Sequence, residues 1–261
     1  MSFSNPKLQN PCSKFIEFKG DSGTFQFYDK EQEKNIQLST PCFIIVLDQL
    51  STIRGFSDDY QTGIYSNEVH SLLNEILKVK SFKGGISIIG LYNEVKHEIK
   101  AAGGKFAKSV YCMMFDPEGN RELVNFQLSG AAFSAWLDFK FDAQQHVVEI
   151  TADTIREKKG SINYYKPIFK RWSIKKDLIP YAVELDKKLQ AYLKQRKEEI
   201  QEQQTVQQEK SDQDYHQESP VYYPDKTPSE VLHEINYEQD KHAVLEESKN
   251  EEADFCNDLP F

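Results

Sequence analysis

The amino-acid sequence predicts a mainly β fold with a few inserted helices, arranged as a small barrel or sandwich. Over the first 176 residues, short β-branched and aromatic runs alternate with turn residues, which is the pattern of successive short strands. Regular apolar spacing continues to about residue 200 and then stops. Residues 201–261 hold 16 Asp or Glu and four Lys, a net charge of −12, which leaves +3 on residues 1–200. We therefore expect a folded, weakly basic body followed by an acidic tail.

Three short strands are expected at the start of the body, over KFIEF, GTFQFYD and KNIQL. Phe25 and Phe27 alternate with polar neighbours, as the residues of a half-buried strand do, and Gly20 supplies turn chemistry after the first run. A longer β-branched run over residues 42–55 predicts a central strand that is buried on both faces.

Residues 67–80 predict an amphipathic helix that begins after an Asn67 cap. The apolar residues of this segment fall at helical spacing: Val69, Leu72, Leu73, Ile76 and Leu77. Glu68 would then lie in the first turn, where an acid interacts favourably with the helix dipole.

Downstream of this segment, the sequence predicts a strand followed by a helix and then a hairpin followed by a helix. GGISIIG predicts a strand, and LYNEVKHEIKAAGG places Val95 and Ile99 on one helix face before Gly103, a glycine where a helix commonly ends. KFAKSVYCMMF and RELVNFQL, joined by the turn residues 116–119, predict a hairpin, and SGAAFSAWLDF predicts a helix after it.

The body ends with two further strands, over HVVEITAD and INYYKPIFKRWSI, and a C-terminal helix. We divide the chain into a flexible N-terminus (1–12), a strand-rich domain (13–176), a helix (177–200) and a tail (201–261). The helix has an apolar stripe: Leu178, Ala182, Leu185, Leu189 and Leu193. The tail is expected to be disordered, because its Gln, Glu and Asp residues bury too little apolar surface to offset the entropy of ordering. Pattern alone does not choose among barrels, of which the five-stranded OB-fold is one.

No motif indicates catalytic chemistry. The sequence lacks a GxxxxGK[ST] phosphate loop, a GxSxG nucleophile turn and an HExxH zinc helix. Its four cysteines and six histidines show neither metal-ligand nor disulfide spacing, so we expect no cofactor and a reduced, intracellular protein. Asp58, Asp59 and Glu68 are acids that a metal-dependent enzyme would use, but loop solvation and a helix N-terminus explain them better. No signal peptide or membrane span is indicated.

The segment from Arg156 to Lys176 combines basic and aromatic residues. It holds eight Lys or Arg and one acid, interleaved with tyrosine, phenylalanine and tryptophan. Single-stranded nucleic acid is bound by this mixture, with cations along its backbone and ring faces beneath its bases. Aromatic residues in strands are also common core residues, so a buried role stays open for part of the set. Strand alternation places five residues on the face that we prefer for DNA, unless a bulge exchanges the faces: Tyr164, Lys166, Ile168, Lys170 and Trp172.

A second basic cluster lies between residues 78 and 108. It comprises seven lysines: Lys78, Lys80, Lys83, Lys96, Lys100, Lys105 and Lys108. From the two clusters together, we expect nine residues to contact single-stranded DNA: Tyr164, Lys166, Lys170, Trp172, Arg171, Lys158, Lys159, Lys105 and Lys108.

The final stretch, DFCNDLPF, resembles the acidic tip of bacterial and phage single-stranded DNA-binding proteins, which commonly ends Asp-Asp-Ile-Pro-Phe. Asp258 matches the second acid, Leu259 replaces the aliphatic residue, and Pro260 and Phe261 match. Asn257 stands where the family has an acid, so one attractive charge is missing. KFIEFKGDSGTFQFYDKEQEKN and FIIVLDQLSTIRGFSDDYQTGIYSNEV are also similar to the proteins of this family from large Bacteroides-type tailed phages.

The resemblance implies an OB-fold core without enzymatic activity, acting in DNA replication, recombination and repair. It also implies that the tip recruits replication, recombination and repair proteins, through Asp254, Asp258, Leu259, Pro260 and Phe261. A phage-encoded protein of this kind acts in the cytoplasm of its bacterial host, with neither a membrane nor a small-molecule substrate as partner.

Two other functions stay open at this point. A β-barrel adaptor or virion-associated protein could carry an acidic tail that only solubilises it. A nuclease or annealing enzyme could hold a metal on Asp58, Asp59 or Glu68.

Overall fold

The computed structural model describes residues 9–115 and 120–215, with side chains as far as Glu198. The chain divides into two units, residues 1–195 and 196–261. Most of the expected flexible N-terminus, the turn at residues 116–119 and all of residues 216–261 lie outside the described residues. Expectations for those segments therefore stay predictions.

The described part of the first unit is dominated by β-strands, as the sequence predicts. Eleven strands lie within the described residues: β1 (Lys14–Lys19), β2 (Thr24–Asp29), β3 (Lys34–Gln37), β4 (Cys42–Ser57), β5 (Thr62–Ser66), β6 (Leu77–Ser81), β7 (Ser87–Gly90), β8 (Gly104–Phe115), β9 (Arg121–Ser129), β10 (His146–Lys159) and β11 (Ile162–Ser173). The α-helices described are α1 (Tyr92–Ala101), α2 (Gly130–Asp138) and α3 (Ile179–Tyr215), the last preceded by a 3-10 turn (Lys176–Leu178).

All eleven strands join one mixed sheet. Its main path runs β3-β2-β1-β9-β8-β4-β5-β6-β7, and β10 joins β4 to β11 beside that path. Only the β1–β9 pair is parallel among these neighbours. The terminal strands of the path, β3 and β7, do not pair with each other, so the described sheet is not closed. The mainly β fold with a few helices is confirmed.

Strand β4 organises this sheet because both of its edges are occupied. One edge pairs with β8 from Phe43 to Gly55. The other edge pairs with β10 at residues 42–44 and with β5 at residues 54–57. The prediction of a central strand is confirmed, and Ile44, Ile45 and Val46 are consecutive buried residues, as burial on both faces requires.

In the described part of the chain, different apolar residues pack around the two ends of β4. Near the start of β4, Ile45 and Leu50 pack beneath α3 with residues of β8. All five residues of the predicted α3 stripe, from Leu178 to Leu193, belong to this packing. Near the end of β4, Ile53 packs with β5, β6 and α1. Gly103 follows α1 with a φ of 90°, and a Cβ there would lie 2.2 Å from the Phe56 carbonyl oxygen, so the predicted glycine end is confirmed.

The helix expected over residues 67–80 is wrong, because residues 67–76 are irregular and β6 begins at Leu77. The Asn67 side chain does not cap a helix. It donates to the Ile76 carbonyl (2.9 Å), and it accepts from the Lys78 amide (2.6 Å). Val69 instead exchanges two backbone hydrogen bonds with Ser51 of β4 and is buried there. These long-range contacts outweigh the helical spacing, and they leave β5 and β6 as strands that the sequence analysis does not predict.

The C-terminal helix is confirmed, but its predicted end and the start of the disordered tail at residue 201 are wrong. Helix α3 continues to Tyr215. The apolar stripe does end near Leu193, but the Gln, Glu and Lys residues that follow have high helix propensity and need no apolar face to be helical.

Candidate nucleic-acid interface

Most of the predicted DNA-binding segment lies in β11, which pairs with β10 in a hairpin whose register shifts between Ile150 and Thr154. Trp172 lies opposite Val147 and Lys170 lies opposite Glu149, on one face. On the other face Phe169 lies opposite the buried Ile150. The Phe169 ring packs edge-on against the Trp136 ring of α2, with centroids 5.1 Å apart. On the first face, Val147 is buried with Ile45 and Ala182, so apolar packing lies on both faces at this end of the hairpin.

Acidic side chains pair with several of the predicted contact residues on this hairpin. Trp172 Nε1 donates to Glu149 Oε2 (2.6 Å), and the Tyr164 hydroxyl donates to Glu157 Oε2 (2.7 Å), which raises the pKa of Tyr164. Lys166 Nζ forms an ion pair with Asp138 at the end of α2 (2.8 Å). The hairpin is therefore less positive than a count of its lysines suggests. Five of the predicted residues on it are exposed: Lys158, Lys159, Lys170, Arg171 and Trp172.

The nine predicted residues do not share one surface. Arg171 lies on the opposite face of β11 from Trp172, and its Nη1 donates to the Lys140 carbonyl (2.8 Å). Lys159 is exposed at the tip of the hairpin. On β8, Lys105 is exposed, whereas Lys108 lies on the other face with Nζ 3.3 Å from Ser51 Oγ. Burial lowers the pKa of Lys108, more than nearby Asp48 raises it.

A second basic and aromatic surface spans β8 and β4 together with β5 and β6, the two strands that the sequence analysis missed. Cross-strand partners project from the same face of a sheet. Arg54 of β4 lies opposite Lys105 of β8 and Tyr65 of β5, and Tyr65 in turn lies opposite Lys80 of β6. We call this surface the aromatic face and define it by six residues: Arg54, Phe56, Tyr65, Lys80, Phe82 and Lys105.

The three rings of the aromatic face are exposed, and two of them stack on each other. Phe82 is 74 % exposed, Phe56 52 % and Tyr65 37 %. The Tyr65 and Phe82 rings are stacked, with centroids 4.6 Å apart and an interplanar angle of 27°. Ile64 and Val79 on the opposite side of the same strands are fully buried against α1. An antiparallel sheet with one packed face normally presents polar residues on the other, so exposed rings there are informative.

Basic residues lie on the same strands as these rings, on the neighbouring strand β8 or next to a ring in sequence. Lys80 and Lys105 are exposed, and Lys83 follows Phe82 directly. Arg54 Nη1 donates to Glu17 Oε1 of β1 (2.5 Å) and also contacts Gln127 of β9. The aromatic face thus offers stacking surfaces beside positive charge, with Glu17 as a neighbouring acid that offsets part of the charge of Arg54.

Sequence reasoning found only one residue of the aromatic face, Lys105, among its nine DNA contacts. The lysine cluster between residues 78 and 108 was the available signal. Because residues 67–80 were predicted as a helix, the strand alternation that places Lys80 beside Tyr65 was not recognised. The register of β5 and β6 is set by pairing between strands, which local spacing does not show.

No group of three His, Cys, Asp or Glu residues in the described part of the chain is arranged to hold a metal ion. Asp58 and Asp59 lie exposed in the β4–β5 turn. Glu68 is not at a helix N-terminus; its carboxylate accepts hydrogen bonds from Ser109 Oγ (2.5 Å) and from the buried Tyr111 hydroxyl (2.7 Å). The three acids therefore do not converge.

The predicted tip residues, from Asp254 to Phe261, lie outside the described residues, and their role stays a prediction. Among the helices that are described, none combines the length and the apolar character that a membrane crossing needs. Comparisons of the chain with protein-family models, with curated proteins and with solved structures find no match. Function is therefore inferred from the chemistry of the residues.

We expect Glu17→Gln to lower the free energy of unfolding at pH 7 by about 0.5–1 kcal/mol, since the ion pair is partly exposed. Burial tends to raise the pKa of Glu17, but Arg54 and Lys19 outweigh burial and hold the pKa below its ordinary value of 4.5. The stabilisation is thus present above the unfolded-state pKa and is lost as the pH falls through the folded-state pKa. Urea denaturation at pH 7 and pH 3 measures the difference.

The matched control is Glu31→Gln, which changes an exposed acid in the β2–β3 turn. A destabilisation by Glu17→Gln that persists undiminished at pH 3 would mean that packing, not charge, accounts for it.

Proposed function

We propose that this protein binds single-stranded DNA without strong sequence preference and without enzymatic activity. The observation that carries the proposal is the exposed, stacked Tyr65–Phe82 pair on an open sheet face. Every base has a π face, so stacking on rings contributes about 1–3 kcal/mol per base with little regard to sequence. A duplex keeps its bases stacked on each other, so the aromatic face favours unpaired strands.

Phosphates bind along the cations of the same face. Lys105, Arg54, Tyr65 and Lys80 form one row across four neighbouring strands. Strands in a sheet are about 4.8 Å apart, so this row extends over about 14 Å. Arg54 and Lys80 flank Tyr65 in this row, and Lys105 lies beyond Arg54, so the backbone of a bound strand can follow the cations while its bases reach the rings.

The finer architecture that we propose is an elaborated OB-fold-like barrel built around β1, β9, β8, β4 and β10. Two observations support it. Strand β4 is shared between two edge partners, β10 and β5, and β1 runs parallel to β9. In addition, the Tyr165 amide of β11 donates to the Gly20 carbonyl just after β1 (2.7 Å), which links the two ends of the β1-β9-β8-β4-β10-β11 path.

The biological role that we propose follows from the resemblance of the tip. The protein protects single strands during replication, recombination and repair, in the host cytoplasm if it is phage-encoded. The acidic tip, with Leu259, Pro260 and Phe261 as its apolar end, recruits partner proteins that present an apolar pocket with a basic rim.

Phe82→Ala and Phe56→Ala should each weaken binding of a fluorescein-labelled oligo-dT by about 1–3 kcal/mol, because each removes one stacking surface. Fluorescence anisotropy at fixed salt measures the affinity. Tyr28→Ala removes an exposed ring of β2 outside the aromatic face, and this control should bind as the wild type does.

The same assay tests the hairpin surface through Trp172→Ala and Tyr164→Ala. If these two variants lose affinity while the aromatic-face variants do not, DNA lies on the hairpin and the assignment to the aromatic face is wrong. If the wild type binds no oligo-dT at low salt, the proposed function fails and the adaptor alternative gains support.

Lys80→Gln and Lys105→Gln should each reduce the magnitude of the slope of log affinity against log salt by about 0.7, since each neutralises one phosphate contact on a single strand. Titrations between low and moderate salt give the slope. Lys34→Gln of β3, an exposed lysine outside the face, is the control, and an equal change in its slope would indicate only a general effect of net charge.

Deleting Phe261 should leave oligo-dT affinity unchanged and abolish capture of replication proteins by the immobilised full-length chain, because the ring fills the partner's pocket and carries no side-chain charge. Retained capture after the deletion would contradict the docking role of the tip while leaving DNA binding untouched.

A further inference from the structure

We propose that Gly63 is a positioning residue that holds the Phe82 ring as a stacking platform for bases, an inference that rests on the proposed function. Phe82 follows the last residue of β6, and its amide donates to the Gly63 carbonyl of β5 (3.1 Å). The ring then lies directly over Gly63. A Cβ at position 63 would stand 2.9 Å from Phe82 Cδ2 and 3.0 Å from Cε2.

The contact explains why the chain has a glycine here. The φ of Gly63 lies outside the left-handed region, so its backbone does not require glycine. The next neighbour of a Cβ at this position would be the Gly55 carbonyl oxygen at 3.9 Å, an ordinary contact. The Phe82 ring is therefore the group that a side chain at position 63 would displace.

Few other contacts fix the Phe82 ring. With 74 % of the residue exposed, its described ring contact is the stack on Tyr65. The bare Cα of Gly63 lets the ring lie close to the sheet while one ring face rests on Tyr65. A ring already held in one orientation loses less rotamer freedom when a base stacks on it, so less of the stacking energy is spent on immobilising the side chain.

A similar contact between a glycine and an exposed ring occurs nearby, between Gly85 and Tyr60. Tyr60 of the β4–β5 turn is 54 % exposed, and a Cβ on Gly85 would lie 2.7 Å from its Cδ1 and Cε1 atoms. Gly85 has a φ of 89°, however, so any substitution there also strains the backbone. Gly63 is the position where the role of the ring contact can be tested separately.

The test is a double-mutant cycle in the full-length chain. Gly63→Ala keeps every ring and every charge but displaces Phe82, so it should weaken oligo-dT binding by about twofold to tenfold. In the Phe82→Ala background, Gly63→Ala should change the affinity by less than the error of the assay, because it acts only through the ring. Thermal unfolding of each variant shows whether the fold is kept.

The outcomes separate the two proposals. A wild type that does not bind oligo-dT overturns the proposed function. A wild type that binds, together with an unchanged Gly63→Ala, overturns only the positioning role. An equal loss in both backgrounds also overturns it, since Gly63 would then act independently of Phe82.

A measurement on the wild type keeps the inference testable if Gly63→Ala unfolds. Nuclear Overhauser contacts between the α protons of Gly63 and the ring protons of Phe82 are expected in the absence of DNA. Their absence would mean that the ring does not rest on Gly63 in solution.

Discussion

One irregularity in β4 sets the orientation of much of this structure. The pairing of β4 with β8 shifts register between Val46 and Asp48, so Leu47 is an extra residue in the ladder. Ile45 and Leu50, one odd and one even in number, therefore both face α3. A bulge of one residue exchanges the two faces of everything that follows it. Because of this bulge, Arg54 and Phe56 project from the face that α3 covers nearer the start of the strand, while Ile53 enters the core beneath α1.

The aromatic face follows from that orientation. The same sheet face is packed under α3 at one end, with Met113 and Tyr111 of β8, and is open at the other, where Lys105 of β8 is exposed. The apolar residues of α3 pack only on the half of this sheet face near the start of β4. On the other half, the described ring contact is the stack of Tyr65 on Phe82. Exposed rings of this kind cost solubility and are informative about function when they lie among cations.

The two candidate surfaces differ in how far their polar groups are already engaged. On the β10–β11 hairpin, Lys166, Tyr164 and Trp172 each bond to a carboxylate. On the aromatic face, Arg54 bonds to Glu17. No bond to a carboxylate is described for Phe56, Tyr65 or Phe82, and the described contact of Tyr65 is its stack on Phe82. The carboxylates of Glu149, Glu157 and Asp138 would repel the phosphates of a strand bound on the hairpin, whereas the described acid beside the cations of the aromatic face is Glu17. For this reason we propose the aromatic face, rather than the hairpin, as the surface that binds DNA.

The sequence by itself determined the strand-rich body, the central β4, the pairing of β8 with β9, the strands β10 and β11, α1, α2, the apolar stripe that packs α3 and the separation of charge between body and tail. These features follow from the periodicity and composition of individual segments and need no information about contacts between distant segments. Tertiary structure decided the conformation of residues 67–80, because the bridge from Val69 to Ser51 and the hydrogen bonds of Asn67 join segments that lie apart in sequence. It also decided which side of each strand is open. Alternation defines two faces, but only the helices packed against them determine which face meets solvent.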